Sequence, residues 1–291
     1  MDDSIVFATD DVVIGTVRSL AGGRVFPRHV LVFPRTVMPL DIHYRGTLTA
    51  TPASVLMCNQ STSFRLGEES FPGAYDWFGV SDSFLIDLLG SYERPVSLMA
   101  PFRFLEGAPP PAILLEERLL LGEIAAGTLD RAAVEETVLR LARAVVRAAW
   151  RAHRVRRVVT AGELEAVEGV RAWIADNPAS DRLLPELAAM AGLHPLRLCR
   201  LFQYRTGMTL TQFRNRLRLS LALELMAGSA GSLFDIAYSL GYSSHAYFSD
   251  VFRKTFGMTP TDARALLKGH GDAAVIGAVS RIVAQSVSAA M

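Results

Sequence analysis

The stretch LCRLFQYRTGMT (198–209) has a near twin, YFSDVFRKTFGMT (247–259). Phe202, Gly207, Met208 and Thr209 recur as Phe252, Gly257, Met258 and Thr259. The likeness extends upstream, where Ala188 and Gly192 match Ala237 and Gly241, with one extra residue in the second turn. Each copy reads as a short helix, a glycine turn and a second helix. Gly192 and Gly241 stand where a helix must stop in a left-handed conformation, which glycine adopts at least cost. Ala188 and Ala237 lie four residues earlier, on a face that needs a small side chain if another helix crosses closely.

The helix ends carry matching punctuation. His194 occupies the cap position before Pro195, and proline suits the first helical residue. Ser243 or Ser244 can cap the corresponding helix of the second copy. Thr209 with Gln212 forms a capping box, and Thr259-Pro260 opens a last helix. Leu198, Leu201 and Phe202 face inward at helical spacing, as do Phe248, Val251 and Phe252. The joining segment LTQFRNRLRLSLALELMAG (210–228) puts Phe213, Leu217, Leu221, Leu225 and Met226 on one side, with Arg214, Arg216 and Arg218 among its polar positions. One helix-turn-helix pattern occurs in many all-α proteins, but two in tandem on a stiff spacer are far more specific. Readers held about 34 Å apart on one face would meet successive major grooves.

LAAMAGLHPLRLCRLFQYRTGMT, RLRLSLALELM, IAYSLGYSS and YFSDVFRKTFGMTPTDAR carry a resemblance to a known family. Residues 170–268 resemble the DNA-binding domain of AraC/XylS-type transcriptional regulators. The resemblance implies a seven-helix domain with helix-turn-helix motifs at about 184–205 and 233–256. It implies a transcription factor rather than an enzyme, acting on a double-stranded DNA operator and with RNA polymerase, activation being the usual outcome. Residues 1–160 fit that family's variable companion, a cupin-like small-molecule-sensing barrel followed by helices that pair two chains. The expected fold class is therefore α+β, with 161–169 as linker or the start of the next helix and 269–291 as a tail.

In the first reader, Leu196, Arg197, Cys199 and Arg200 avoid the core. Arginine can bond guanine bidentately, and leucine can meet a thymine methyl. The family pattern puts Leu196, Cys199 and Arg200 where base contacts are made; Arg197 suits a base or a phosphate. In the second reader Ser244, His245, Ala246 and Asp250 point outward, with Arg253 and Lys254 as phosphate candidates. Asp250 departs from the basic residue often found there in the family and can accept only from cytosine. The first motif is thus expected to carry most of the sequence reading. The bland alternative for each is a solvated helix residue. For Cys199 it is an inert thiol.

Charge supports the division. Residues 1–169 carry 17 Lys+Arg and 21 Asp+Glu, a net of −4; residues 170–268 carry 12 and 7, a net of +5. A basic excess in one half suggests a polyanionic partner for that half. Two isolated cysteines, Cys58 and Cys199, give no metal or disulfide spacing and suit a reducing cytosol. The acidic start MDDSIVFATDD lacks a basic signal region, and no window reads as a membrane span, so a cytoplasmic protein without membrane attachment is expected. The last residues, DAAVIGAVSRIVAQSVSAAM, read as a loosely docked helix or disorder.

Residues 5–105 read as short alternating strands, HVLVF, LDIHYRGTLTAT, ASVLMCN and SFRLG among them, with one helix at DSFLIDLLG. Helical patterns follow at 111–127 and 130–159, joined by a short connection and predicted to form an antiparallel pair. A cupin metal site uses a closely spaced H-x-H, whereas His29 and His43 stand fourteen apart; metal and cofactor are therefore expected to be absent. Arg35, His43 and Arg45 could pair an anionic effector, and Tyr75, Trp77, Phe78 and Phe84 could line its pocket. Of these, Arg35, His43 and Trp77 are the effector-site candidates. A cupin-type enzyme, or a dimeric regulator that senses no ligand, is the competing reading.

Overall fold

The computed structural model describes residues 3–20, 22–43, 46–66, 73–92, 96–153, 158–228 and 231–268. The first half contains two antiparallel sheets. The larger comprises β1 (Asp3–Ala8), β2 (Val12–Leu20), β9 (Gly73–Val80), β4 (His29–Pro34), β7 (Val55–Cys58) and β10 (Glu106–Gly107), in that spatial order. The smaller runs β3 (Gly23–Val25), β8 (Ser63–Leu66), β5 (Met38–Ile42), β6 (Gly46–Ala50). Thus LDIHYRGTLTAT is a hairpin rather than one strand, with Leu40 opposite Leu48.

Strand β9, buried along its whole length, explains the layering. Successive side chains point to opposite faces. Tyr75 and Trp77 enter the core between the sheets, beside Phe26, Phe64 and Leu40. Phe78 and Val80 enter the opposite core, against α1 (Asp82–Leu89), α2 (Ala112–Ala126) and α3 (Arg131–Ala152). Gly15 faces Trp77 across the ladder, where a Cβ would lie 2.4 Å from the indole. The chain is α+β, with the two sheets face to face and helices on the outer face of the larger one.

Asp130 caps α3 by accepting from Ala133 N at 2.8 Å. The apolar stripe of α3, including Val134, Val138, Leu141 and Val145, is covered by the sheet of its own chain. That leaves this stripe unavailable for pairing two chains. Residues 154–157 of the helical pattern 130–159 lie outside the described residues, as do Arg45 and the tail 269–291.

Of the two readings of 161–169, linker or helix start, the segment takes the helix. Helix α4 (Ala161–Asp176) begins at a capping box in which Thr160 accepts from Glu163 N and Glu163 accepts from Thr160 N. That reciprocal pair satisfies donors otherwise orphaned at a helix start, so the helix propagates through the segment. Among the described residues six more helices follow: α5 (Leu184–Met190), α6 (Pro195–Thr206), α7 (Leu210–Gly228), α8 (Leu233–Ser239), α9 (His245–Phe256) and α10 (Pro260–Leu267).

Two buried ionic clusters join the halves. In the first, Glu224 of α7 accepts from Arg35 Nε at 2.8 Å and from Arg118 Nε at 2.6 Å, while Arg35 also donates to Asp76 at 2.7 Å. In the second, Arg171 of α4 donates to Glu106 of β10 at 2.7 and 2.9 Å and to Ser54 at 3.1 Å. Glu168 pairs with Arg205 of α6 at 2.7 Å and accepts from Thr49 N at 3.2 Å. Charges this deep persist only with partners.

Candidate nucleic-acid interface

The two motifs are built by local rules. After α5, Gly192 takes φ +62° and Leu193 N donates to Ala188 O at 3.0 Å. After α8, Gly241 takes φ +80° and Tyr242 N donates to Ala237 O at 3.1 Å. At Gly241 the space also demands glycine: a Cβ would stand 2.4 Å from Ala179 O. His194 Nδ1 accepts from Leu196 N at 3.3 Å, and Ser244, rather than Ser243, accepts from Tyr247 N at 3.2 Å. Gly207 and Gly257 close α6 and α9 with φ of +74° and +77°.

Helix α7 is the spacer. From Arg216 to Ala227 it is buried, and its phenylalanine Phe213 meets Phe202 of α6 edge-on at 5.4 Å. Arg218, expected at a polar position, is a structural hub. It donates to Pro178 O at 2.6 Å, Gly241 O at 3.1 Å and Asp181 at 2.8 Å, clamping the second motif's turn to the segment after α4.

The outward faces hold the expected residues. On α6, Leu196 is 61% exposed, Arg200 is exposed and Cys199 is half-buried. Arg197 is engaged: its guanidinium donates to Glu163 of α4 at 2.7 and 2.9 Å. Those hydrogen bonds hold the Glu163 carboxyl down at about 2. On α9, Ser244, His245, Ala246, Asp250, Arg253 and Lys254 are all exposed. Ser244 is spent on its cap, and Asp250 accepts from Arg253 at 3.2 Å. Tyr247, 52% exposed on the first turn of α9, was not among the expected residues. Its place three residues after the cap, outside the Phe248–Phe252 stripe, is the signal that could have found it.

The three effector-site candidates do not converge. Arg35 is committed to Glu224 and Asp76, and Trp77 packs between the sheets against Phe26 at 6.2 Å. His43 lines a separate cleft of about 280 Å³. Alternation along β9 and the buried acid of α7 decide this, since both turn these side chains away from a common cavity. His29 is buried and accepts from Gln60 N at 3.0 Å, and burial lowers its pKa. Burial also pushes the Cys58 thiol up to about 12. Among the described residues, no group of three or more His, Cys, Asp or Glu is placed to hold a metal ion, and no helix is long and apolar enough to cross a membrane.

A protein family described as "Helix-turn-helix domain" matches residues 187–265. The chain is similar to the HTH-type transcriptional activator RhaR of Mannheimia succiniciproducens, 44% identical over 66 residues, which are 23% of this chain and 24% of that protein. It is similar also to the activator RhaS of Escherichia coli, 37% identical over 93 residues, 32% of this chain and 34% of that one. The chain therefore spans only about a quarter to a third of the length of these curated relatives. Among solved structures, ToxT from Vibrio cholerae aligns with 89% of this chain and 98% of its own at 15% identity and a TM-score of 0.35. An AraC-type regulator from Chromobacterium violaceum aligns with 38% of this chain and 100% of its own at 26% identity and a TM-score of 0.35. Residues 187–265 thus match a helix-turn-helix domain family, and the chain is similar over a third or less of its length to transcriptional activators.

Proposed function

We propose that the chain is a sequence-specific DNA-binding regulator of transcription, an activator like the relatives it resembles. Helices α6 and α9 enter successive major grooves of an operator, and α7 fixes their separation. One observation carries this reading: two motifs with matching glycine turns present capped helices whose outward residues are exposed, on a shared buried spacer. Arg200 is the leading base contact, with Leu196 and Cys199 beside it. Tyr247 joins His245 and Ala246 at the start of α9, and Arg253 and Lys254 hold phosphates. Arg197 is expected to contribute less, because DNA would have to displace Glu163.

RNA polymerase as partner, a cytoplasmic location, a non-enzymatic role and the pairing of two chains belong to the same reading. Pairing would use exposed surface, since the stripe of α3 is covered; gel filtration at micromolar concentration running as a monomer would remove it. The test of the main reading is a gel-shift titration on duplexes selected from random sequence, repeated across salt. Affinity should fall steeply with salt as phosphate contacts release counterions. Binding insensitive to salt and to sequence would overturn the reading.

A further inference from the structure

Between α3 and α6 lies an open cleft of about 1120 Å³. Six arginines line it: Arg140, Arg143, Arg147 and Arg151 along one stripe of α3, Arg200 on α6 and Arg216 on α7. Among the described residues Asp87 is the only acid lining it. Arg140 pairs with Glu116 outside the lining, whereas Arg143, Arg147, Arg151, Arg200 and Arg216 have no carboxylate partner among the described residues.

Arg216 sets this cleft apart from a solvated basic face. It is 7% exposed, yet its Nε and Nη2 have no hydrogen-bond partner. Among the described residues every other buried arginine, Arg35, Arg118, Arg171 and Arg218, is met by a carboxylate. A buried guanidinium without an acceptor is costly, and burial draws its pKa down to about 9. Among the described residues the fold pairs its other buried arginines and leaves this one, on the wall of the cleft, without a carboxylate, so an anion in the cleft would supply the acceptor it lacks. The guanidinium fork matches carboxylate and phosphate geometry. Leu88, Pro109, Pro110, Ala144 and Ala148 supply apolar wall, and Tyr92 and Tyr204 supply rings. The volume lies just above the usual range of small-molecule sites, about 300–1,000 Å³.

We propose that this cleft binds a small organic anion, a phosphate- or carboxylate-bearing molecule with an apolar body, anchored by Arg216. The site is separate from the space between the sheets and from the candidates Arg35, His43 and Trp77. Arg200 lines the cleft and is also the leading base contact, so occupant and DNA share one side chain. An occupied cleft lowers DNA affinity, and bound DNA lowers affinity for the occupant by the same factor. The competition depends on the DNA-binding reading; the site does not.

The test is isothermal titration of the full chain, without DNA, with phenyl phosphate, benzoate and inorganic phosphate. Saturable binding of one equivalent of phenyl phosphate or benzoate, at least tenfold tighter than inorganic phosphate, is expected; which of the two binds identifies the head group. Arg216→Met should weaken that binding at least tenfold without lowering the melting temperature, because it removes an unpaired buried charge. Arg147→Gln, at an exposed position on α3, should weaken it several-fold and serves if the first variant does not fold. Absence of saturable binding by all three probes, or unchanged affinity in both variants, overturns the proposal. So does Arg147→Gln that flattens the salt dependence of DNA binding in a protein that binds no probe, which would give the cleft to the duplex.

Discussion

Glu224 is the side chain on which the joint between the halves turns. It is 1% exposed and accepts from Arg35 at 2.8 and 2.7 Å and from Arg118 at 2.6 Å. Glu224→Ala leaves both guanidinium groups short of an acceptor. Arg35 retains Asp76, whose carboxyl burial would raise but Arg35 and Arg18 hold at about 2, so it stays charged. Arg118 retains the Leu114 carbonyl at 3.1 Å and Glu117, whose carboxyl burial pushes up to about 8, leaving it mostly neutral at pH 7. Removing one member of a buried ion pair costs about 3–5 kcal/mol. At about 2–4 °C per kcal/mol for large domains, the melting temperature should fall by about 6–20 °C. Circular dichroism melts of the full chain at pH 7, with Glu224→Gln as the shape-preserving control, measure it. A fall under about 2 °C would refute the reasoning, since the cluster would then contribute no net stability.

Other expectations follow from single positions. Arg200→Ala should cost about 1–3 kcal/mol on the selected operator and relax one base position, whereas Arg197→Ala should cost less; a gel-shift titration with base-substituted duplexes distinguishes them. Gly241→Ala meets both a positive φ and the Ala179 carbonyl, so it should lower the urea midpoint more than Gly192→Ala, where φ is +62° but no atom lies within 4 Å of the added Cβ; the latter should cost about 1 kcal/mol. Glu117 has a folded pKa raised from 4.5 to about 8, so the stability it contributes is full below 4.5 and is lost as pH climbs through 8. Glu117→Gln keeps the neutral form, so its advantage in melting temperature over the unaltered chain should grow from pH 6 to pH 9; a constant gap would contradict the assignment.

The reader domain was legible because its signals are local. A glycine turn, a cap residue and the 3–4 spacing of Leu198, Leu201 and Phe202 each act within one helical turn, and the repeat showed them twice. The joint between the halves was not legible. Arg35 and Glu224 lie 189 positions apart, and charged residues at helical polar positions ordinarily read as solvated surface. Hence Arg216 and Arg218 looked like the wet side of α7, although that helix is buried around most of its circumference. The misreading of Arg35 and Trp77 has the same origin: strand periodicity assigns faces, but only the sheet order tells which face is core. The segment 161–169 allowed a linker or a helix start, and the capping box of Thr160 and Glu163 decides for the helix.

The central claim is that α6 and α9 dock side by side along one face of a duplex. Hydroxyl-radical footprinting of the full chain on its selected operator tests it most directly. The account predicts two protected tracts per monomer, centred about one helical turn, 10–10.5 base pairs, apart on the same face. One tract alone, or two tracts on opposite faces of the duplex, would contradict it.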